Sequence, residues 1–308
     1  MTTLSNEDIA GFIESQLYDW PLAKQNYDAL RLVERRTVVL GDLEVAVQWN
    51  PARMVSTGAN TDRESISKRP CFLCKDNRQK EQHACVVVPG WDLLVNPFPI
   101  LPVHLTIASQ SHQPQSSVPY DIVAIAERLP GMAVFFNGAK AGASAPDHLH
   151  LQAVIKDELP LLRISEAFHP STESGLKCSA EYGLDLPFLF YSGVVTDEKS
   201  GLSTLAAGLN IGGLSDNGRL DSKELVNAFF WVDSTGALRF VVVPRLRHRP
   251  DCFFEEGDRQ RIISPGCMDM AGLMVVPRKS DYDSLSDEEV RKIYSDVALP
   301  DNIEFVKS

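Results

Sequence analysis

The sequence predicts an α+β fold of antiparallel sheets with flanking helices, and three observations carry that prediction. Apolar, β-branched runs meet at tight turns, as in "TVVLGDLEVAVQW" (Thr37–Trp49) around Gly41-Asp42 and "ACVVVPGWDLLVNPFP" (Ala84–Pro99) around Pro89-Gly90. The strand–helix–strand rhythm of a doubly wound parallel sheet is missing. Two stretches of the first half also find partners, in the same order, in the second. "HLTIASQSHQP" (His104–Pro114) matches "LRFVVVPRLRHRP" (Leu238–Pro250), and "DHLHLQAV" (Asp147–Val154) matches "DMAGLMVV" (Asp269–Val276), which has no histidine. The shared order favours an internal duplication with one working site, placed in residues 1–165, and a degenerate half, residues 166–308.

The elements follow in chain order. "NEDIAGFIESQLYDW" (Asn6–Trp20) is acidic and helix-like. After the first hairpin, "NPARMVSTGANTDRESISKRP" (Asn50–Pro70) is polar and reads as irregular. "CFLCKDNR" (Cys71–Arg78) precedes the second hairpin, and "HLTIAS" gives a further strand. "DIVAIAERL" (Asp121–Leu129) has the apolar spacing of a helix. "MAVFFNGAKAGASAPDHLHLQAVI" (Met132–Ile155) then reads as strand, small-residue loop, strand. "SDEEVRKIYSDV" (Ser286–Val297) closes the chain as a helix that Ser286 and Glu289 can cap reciprocally.

Composition narrows the class. The 308 residues are 44% hydrophobic and 23% charged, as in a soluble globular protein. A net charge of −11 argues against a nucleic-acid surface, while a local basic pocket can still take a small anion. The start does not resemble a secretory leader and no long apolar run follows. The expectation is therefore a cytoplasmic chain, off the membrane, with its six cysteines free or metal-bound.

"SAPDHLHLQAV" (Ser144–Val154) is the stretch that points to chemistry. On a strand, alternate side chains share a face at steps of about 6.6 Å, so His148, His150 and Gln152 point one way and Leu149, Leu151 and Ala153 the other. Such a row suits a metal, a nucleophile toward phosphorus, or a pair of ordinary histidines. The preceding "NGAKAGAS" (Asn137–Ser144) lets backbone N–H groups approach an anion, and Ser144 adds a hydroxyl. "CFLC" has the spacing at which Cys71 and Cys74 chelate one zinc, and no thioredoxin-like context favours a redox role. The remaining ligands come from His83, His104, His112, His148, His248 or the other cysteines. A set of Cys71, Cys74, His112 and His148 would tie the loop to two strands and leave His150 free.

At these residues the sequence resembles the histidine-triad superfamily, in its transferase branch. The triad hydrolases alternate three histidines, whereas that branch has glutamine in the third place, as in "HLHLQ" here. Serine four positions before the first histidine, "NPFPILPVHLTIAS" (Asn96–Ser109), "QWNPAR" (Gln48–Arg53) and "LVNAFFW…FVVVPR…MDMAGLMVV" are similar to its phosphorylases. The uridylyltransferases carry proline between the histidines where this chain has Leu149. The resemblance implies two histidine-triad-like halves and a nucleotidyltransferase. Its relatives are ATP adenylyltransferases that phosphorolyse diadenosine tetraphosphate, GDP-hexose phosphorylases and hexose-1-phosphate uridylyltransferases. It implies His150 as the nucleophile, forming a nucleotidyl-histidine, with Gln152 and Ser144 bonding the α-phosphate. Asn137, Gly142 and Arg53 would line the phosphates. A structural zinc on Cys71, Cys74, His112 and His148 is the implied cofactor. The implied partners are a nucleotide or nucleotide sugar and a phosphate-bearing acceptor, with the chain a monomer or homodimer. The alternatives are a dinucleotide hydrolase, disfavoured by Gln152, and a zinc-containing nucleotide binder without turnover. "PRLRHRP" (Pro244–Pro250) reads as a solvated basic edge or as a clamp for the acceptor phosphate.

Overall fold

Tight turns organise the first strands. β1 (Glu34–Leu40) and β2 (Leu43–Trp49) join through Gly41, whose φ of 65° favours glycine. β3 (Cys85–Val88) and β4 (Trp91–Val95) join through Pro89 and Gly90, where φ is 86°. β5 (His104–Ser109), β6 (Met132–Asn137), β7 (His150–Ile155), β8 (Gly175–Cys178) and β9 (Tyr191–Val195) follow. β10 (Val226–Val232), β11 (Leu238–Pro244) and β12 (Leu273–Val276) complete the strands. This computed structural model describes residues 3–54, 66, 69–195, 198–213 and 222–300. Most of the polar segment that follows Arg53, residues 55–65 and 67–68, lies outside the described residues.

Nine strands form one sheet in the order β3-β4-β5-β7-β6-β10-β11-β9-β8, and every pairing in it is antiparallel. The order contains a repeat. In the first group β7 inserts between β5 and β6, and in the second β11 inserts between β9 and β10. The groups meet at the β6–β10 seam, where Phe136 faces Ala228 and Phe135 faces Phe229. Phe135, Phe136, Phe229 and Phe230 are all buried there. Each such side chain contributes roughly 1.5–3 kcal/mol relative to exposure, so the two groups of strands are joined by packing on both faces of the seam.

The repeat is real in topology but runs through other segments than the sequence suggests. β11 occupies the place of β7, not of β5. Asp269–Val276, which looks like the histidine stretch, ends in β12, which pairs in parallel with β2 in a separate three-stranded sheet, β1-β2-β12. Apolar β-branched runs resemble one another whichever sheet they enter, so composition aligned the wrong pair.

Alternation sorts the side chains of the large sheet. Phe135, Val154, Phe229 and Trp231 pack beneath the small sheet with Val45, Val47 and Tyr294. Val134, Phe136, Leu151 and Ala153 pack on the other face with Ile9 and Ile13 of helix α1 (Asn6–Asp19) and with Ile122 and Ile125 of a helix at Ile122–Arg128. A second helix, α2 (Pro21–Asp28), starts directly after Trp20 with proline at its first position. The helix at Asp287–Val297 carries the expected reciprocal cap between Ser286 and Glu289. Among the described residues no helix is long and apolar enough to cross a membrane.

Candidate active site

His150 opens β7, between β5 and β6 in the first group of strands. The residue is 3% exposed, and Nδ1 lies 2.8 Å from the His148 carbonyl oxygen. A carbonyl only accepts, so Nδ1 carries the proton and Nε2 keeps its lone pair. Among the described residues Nε2 has no hydrogen-bond partner, and His150 lines a cavity. Burial pushes this imidazole down to about 4, which keeps it neutral near pH 7.

The backbone at His150 is held by a residue that no motif reveals. Gln115 is fully buried, and its Oε1 accepts from the His150 N–H at 2.8 Å. Its Nε2 donates to the His150 carbonyl at 2.9 Å and to the Asn137 carbonyl at 2.8 Å. One amide thus makes the bonds that a neighbouring strand would otherwise make, where β6 and β7 diverge into the small-residue loop.

Gln152 is half-buried, pairs with Thr106 across the ladder, and shares the face of His150. Ser144, at the end of the small-residue loop, is exposed at the cavity wall beside His150 and Gln152. Arg53 also reaches that wall, and its Nη1 donates to the Phe98 carbonyl at 2.7 Å. Burial lowers its guanidinium to about 10, opposed by the Asp269 carboxylate. Asn137 and Gly142 lie behind the loop and are not among the residues lining the cavity. Asn137 Oδ1 accepts from the Cys267 N–H at 2.7 Å and from Asn227 Nδ2 at 3.0 Å. Gly142, at φ 98°, passes so close to Gly266 that a Cβ would stand 2.6 Å from its Cα. Both residues shape the loop against the C-terminal segment.

Cys71, Cys74, His112 and His148 come together, with their ligand atoms within 4.8 Å of one another, so the cluster could hold a metal ion. The His112 and His148 Nδ1 atoms are 3.3 Å apart. Cys71 Sγ and Cys74 Sγ lie 3.3 and 3.5 Å from His148 Nδ1, and Cys74 Sγ lies 3.3 Å from His112 Nδ1. A tetrahedral site with bonds of about 2.3 Å to sulfur and 2.0–2.1 Å to nitrogen has edges of roughly 3.5 Å (S···N) and 3.3 Å (N···N). The spacing fits that polyhedron. His148 Nε2 donates to the Ser109 carbonyl at 2.8 Å, which leaves its Nδ1 lone pair aimed at the cluster. Arg78 holds the cysteine loop by donating to the Leu73 carbonyl at 2.9 Å and to Asp92 at 2.6 Å.

The cavity has a volume of about 390 Å³. That lies within the roughly 300–1,000 Å³ common for small-molecule sites. Arg53, Asn96, Thr106, Ser144, His150 and Gln152 are among its polar lining, with Asn77, Gln79 and Gln82. Trp20 and Leu22 from the α1–α2 junction, with Phe72, Leu73, Pro97 and Phe98, make its apolar wall. Sequence reasoning missed the junction, because a tryptophan between two helices carries no mark of a site. Of the basic stretch, Arg245 is fully buried and donates to the Val297, Pro265, Arg247 and His248 carbonyls, while Arg247 pairs with Asp251 and Asp296. Arg245 is therefore a buried strut rather than a solvated edge, whereas the Arg247 side chain is 42% exposed and keeps the character of a solvated, ion-paired edge.

Comparison with known proteins gives the fold. The structure of yeast Ap4A phosphorylase Apa2 matches with a TM-score of 0.54 at 15% identity, over 91% of this chain and 97% of that one. The chain has the fold of that phosphorylase. Complexes of the same yeast phosphorylase with Ap4A and with AMP match similarly. Their TM-scores are 0.53 and 0.52, at 13% and 14% identity, over 91% and 92% of this chain and 97% of each of theirs. The family model described as a domain of unknown function (DUF4922) matches residues 12–155, a span that includes the histidine stretch and all four residues of the cluster. No curated protein matches the sequence. In this fold His150, Gln152 and Ser144 meet at one cavity with the cysteine–histidine cluster beside it.

Proposed function

We propose that the chain is a nucleotidyltransferase or phosphorylase acting through a covalent nucleotidyl-His150 intermediate. The observation that carries this reading is the bare Nε2 of a neutral, buried imidazole at the wall of a cavity. In the first step that lone pair attacks the α-phosphorus of a nucleotide in line. The P–N bond forms, the P–O bond to the leaving group breaks, and its electron pair leaves with that oxygen. In the second step an oxygen of phosphate or of a phosphorylated acceptor attacks phosphorus, and the P–N pair returns to Nε2. Splitting the transfer this way is covalent catalysis, with ping-pong kinetics as its signature.

The other residues take roles by position. Gln152 and Ser144 donate to the non-bridging oxygens, and the Arg53 charge offsets the phosphate. Asn137 and Gly142 hold the small-residue loop in place. The apolar wall receives the base. Solved structures of this fold with Ap4A and AMP support a nucleotide as the substrate class. Cys71, Cys74, His112 and His148 suit zinc, which would supply a structural crosslink between the cysteine loop, the segment after β5 and the entry to β7. Residues 1–165 form the catalytic half in this reading, and residues 166–308 form the half packed against it.

Incubation with α-labelled ATP, GTP, UDP-glucose and diadenosine tetraphosphate, followed by denaturation, tests the proposal. The expected result is protein-bound label that survives alkali, is lost in acid and is absent from His150→Ala. Bound nucleotide without retained label would mark a binding protein instead.

A further inference from the structure

His104 stands outside the cysteine–histidine cluster and has no part in the transfer steps, yet it is fully buried beside the cavity. Two bonds fix its proton. The Ile100 N–H donates to Nδ1 at 3.1 Å, so Nδ1 is bare and the neutral ring carries its proton on Nε2. Nε2 lies 2.7 Å from Gln152 Oε1 and donates to it. The register brings the pair together. His104 faces Val154 and Thr106 faces Gln152, so His104 and Gln152 are diagonal neighbours on one face.

A glutamine amide is nearly symmetric in shape, and its two ends differ only in what they bond. With its oxygen facing the His104 N–H, and Asn96 Nδ2 at 3.5 Å from the same oxygen, the Gln152 NH₂ turns toward the cavity. A flipped amide would set its NH₂ against the His104 N–H. It would also aim its oxygen at anionic phosphoryl oxygens, replacing attraction by repulsion.

We propose that His104 is a positioning residue that locks the Gln152 amide with its N–H donors facing the transferred phosphoryl group. This rests on His150 being the nucleophile. Burial also pushes the His104 imidazole down to about 3, so the ring stays neutral through the working range of pH.

His104→Phe keeps the bulk of the ring and removes the donor, while His104→Gln returns an amide N–H near the place of Nε2. The experiment measures single-turnover adduct formation and nucleotide Kd for both variants, in the native and Gln152→Ala backgrounds. His104→Phe should slow adduct formation about tenfold or more, with Kd changed by less than about threefold. His104→Gln should recover part of that loss. In the Gln152→Ala background, His104→Phe should change the rate by less than about twofold, because the group it positions is gone. Equal losses in both backgrounds overturn the proposal. If His104→Phe does not fold, the same cycle runs with His104→Gln. Nitrogen-15 NMR of the wild-type ring separates this proposal from the nucleophile reading. A proton on His104 Nδ1 overturns the positioning role even where the adduct forms. A proton on Nε2 where no adduct forms refutes the nucleophile alone.

Discussion

Replacing Gln115 by leucine should unfasten the strand that carries His150. The substitution puts an apolar side chain of similar size in its place, and removes bonds to the His150 N–H at 2.8 Å, the His150 carbonyl at 2.9 Å and the Asn137 carbonyl at 2.8 Å. Gln115 is fully buried, so water does not take its place without opening the structure. An unsatisfied buried polar group costs about 1–3 kcal/mol, so three of them cost roughly 3–9 kcal/mol, part of which relaxation recovers. Against a total stability of about 5–15 kcal/mol this is a large fraction. Urea unfolding of the wild type and Gln115→Leu, followed by tryptophan fluorescence, measures the difference at unchanged m-value. A loss below about 1 kcal/mol would refute the reasoning, since it would mean that the start of β7 is held by something else.

The remaining predictions follow from the same geometry. The wild type should bind about one zinc per chain, and Cys74→Ser should lose it, as metal analysis of the purified proteins will read. A chelator should lower the Tm of the wild type, and leave that of Cys74→Ser unchanged. Gly142→Ala should destabilise by about 1–3 kcal/mol or shift the 265–266 segment, because φ there is 98° and the new Cβ would meet Gly266. Thermal unfolding of that variant is the check. Stability should also fall on acidification. Burial lowers His104 and His248 to about 3, so below pH 6.5 the unfolded state takes up protons that the folded state refuses. At pH 5 this costs about 2 kcal/mol for each histidine. Asp269, raised to about 6 by burial, acts in the opposite sense. It restores about 1.4 kcal/mol at pH 5, leaving a net loss of about 2–3 kcal/mol from these three groups. Urea unfolding at pH 7.5 and pH 5 measures it, and a more stable protein at pH 5 would contradict it.

What the sequence made legible was local or periodic. The two hairpins, the helix at Ile122–Arg128 and the cap of the helix at Asp287–Val297 all depend on neighbouring residues. A period of two put His150 and Gln152 on one face, opposite Leu151 and Ala153. The cysteine spacing singled out Cys71 and Cys74, and His112 and His148, which the resemblance picked from five candidate histidines, lie beside them. What stayed hidden depends on contacts between distant segments. Gln115 reaches His150 over 35 positions and His104 reaches Gln152 over 48, and neither side chain sits in a pattern that signals a partner. The repeat in strand order was not legible in its pairing, since the insertion of β11 between β9 and β10 is a fact of topology. Arg245 looked like a surface charge, and became a buried strut because five carbonyl contacts and Asn227 surround it.

The central claim is that His150 Nε2 forms a bond to phosphorus. Peptide-level mass spectrometry of protein quenched at alkaline pH, after mixing with diadenosine tetraphosphate, a GDP-hexose or UDP-glucose, reads it most directly. The predicted result is a nucleoside monophosphate added to His150 alone with at least one of these substrates, and discharged when phosphate or a phosphorylated acceptor is supplied. An adduct on any other residue, or none while the nucleotide is bound, would contradict it.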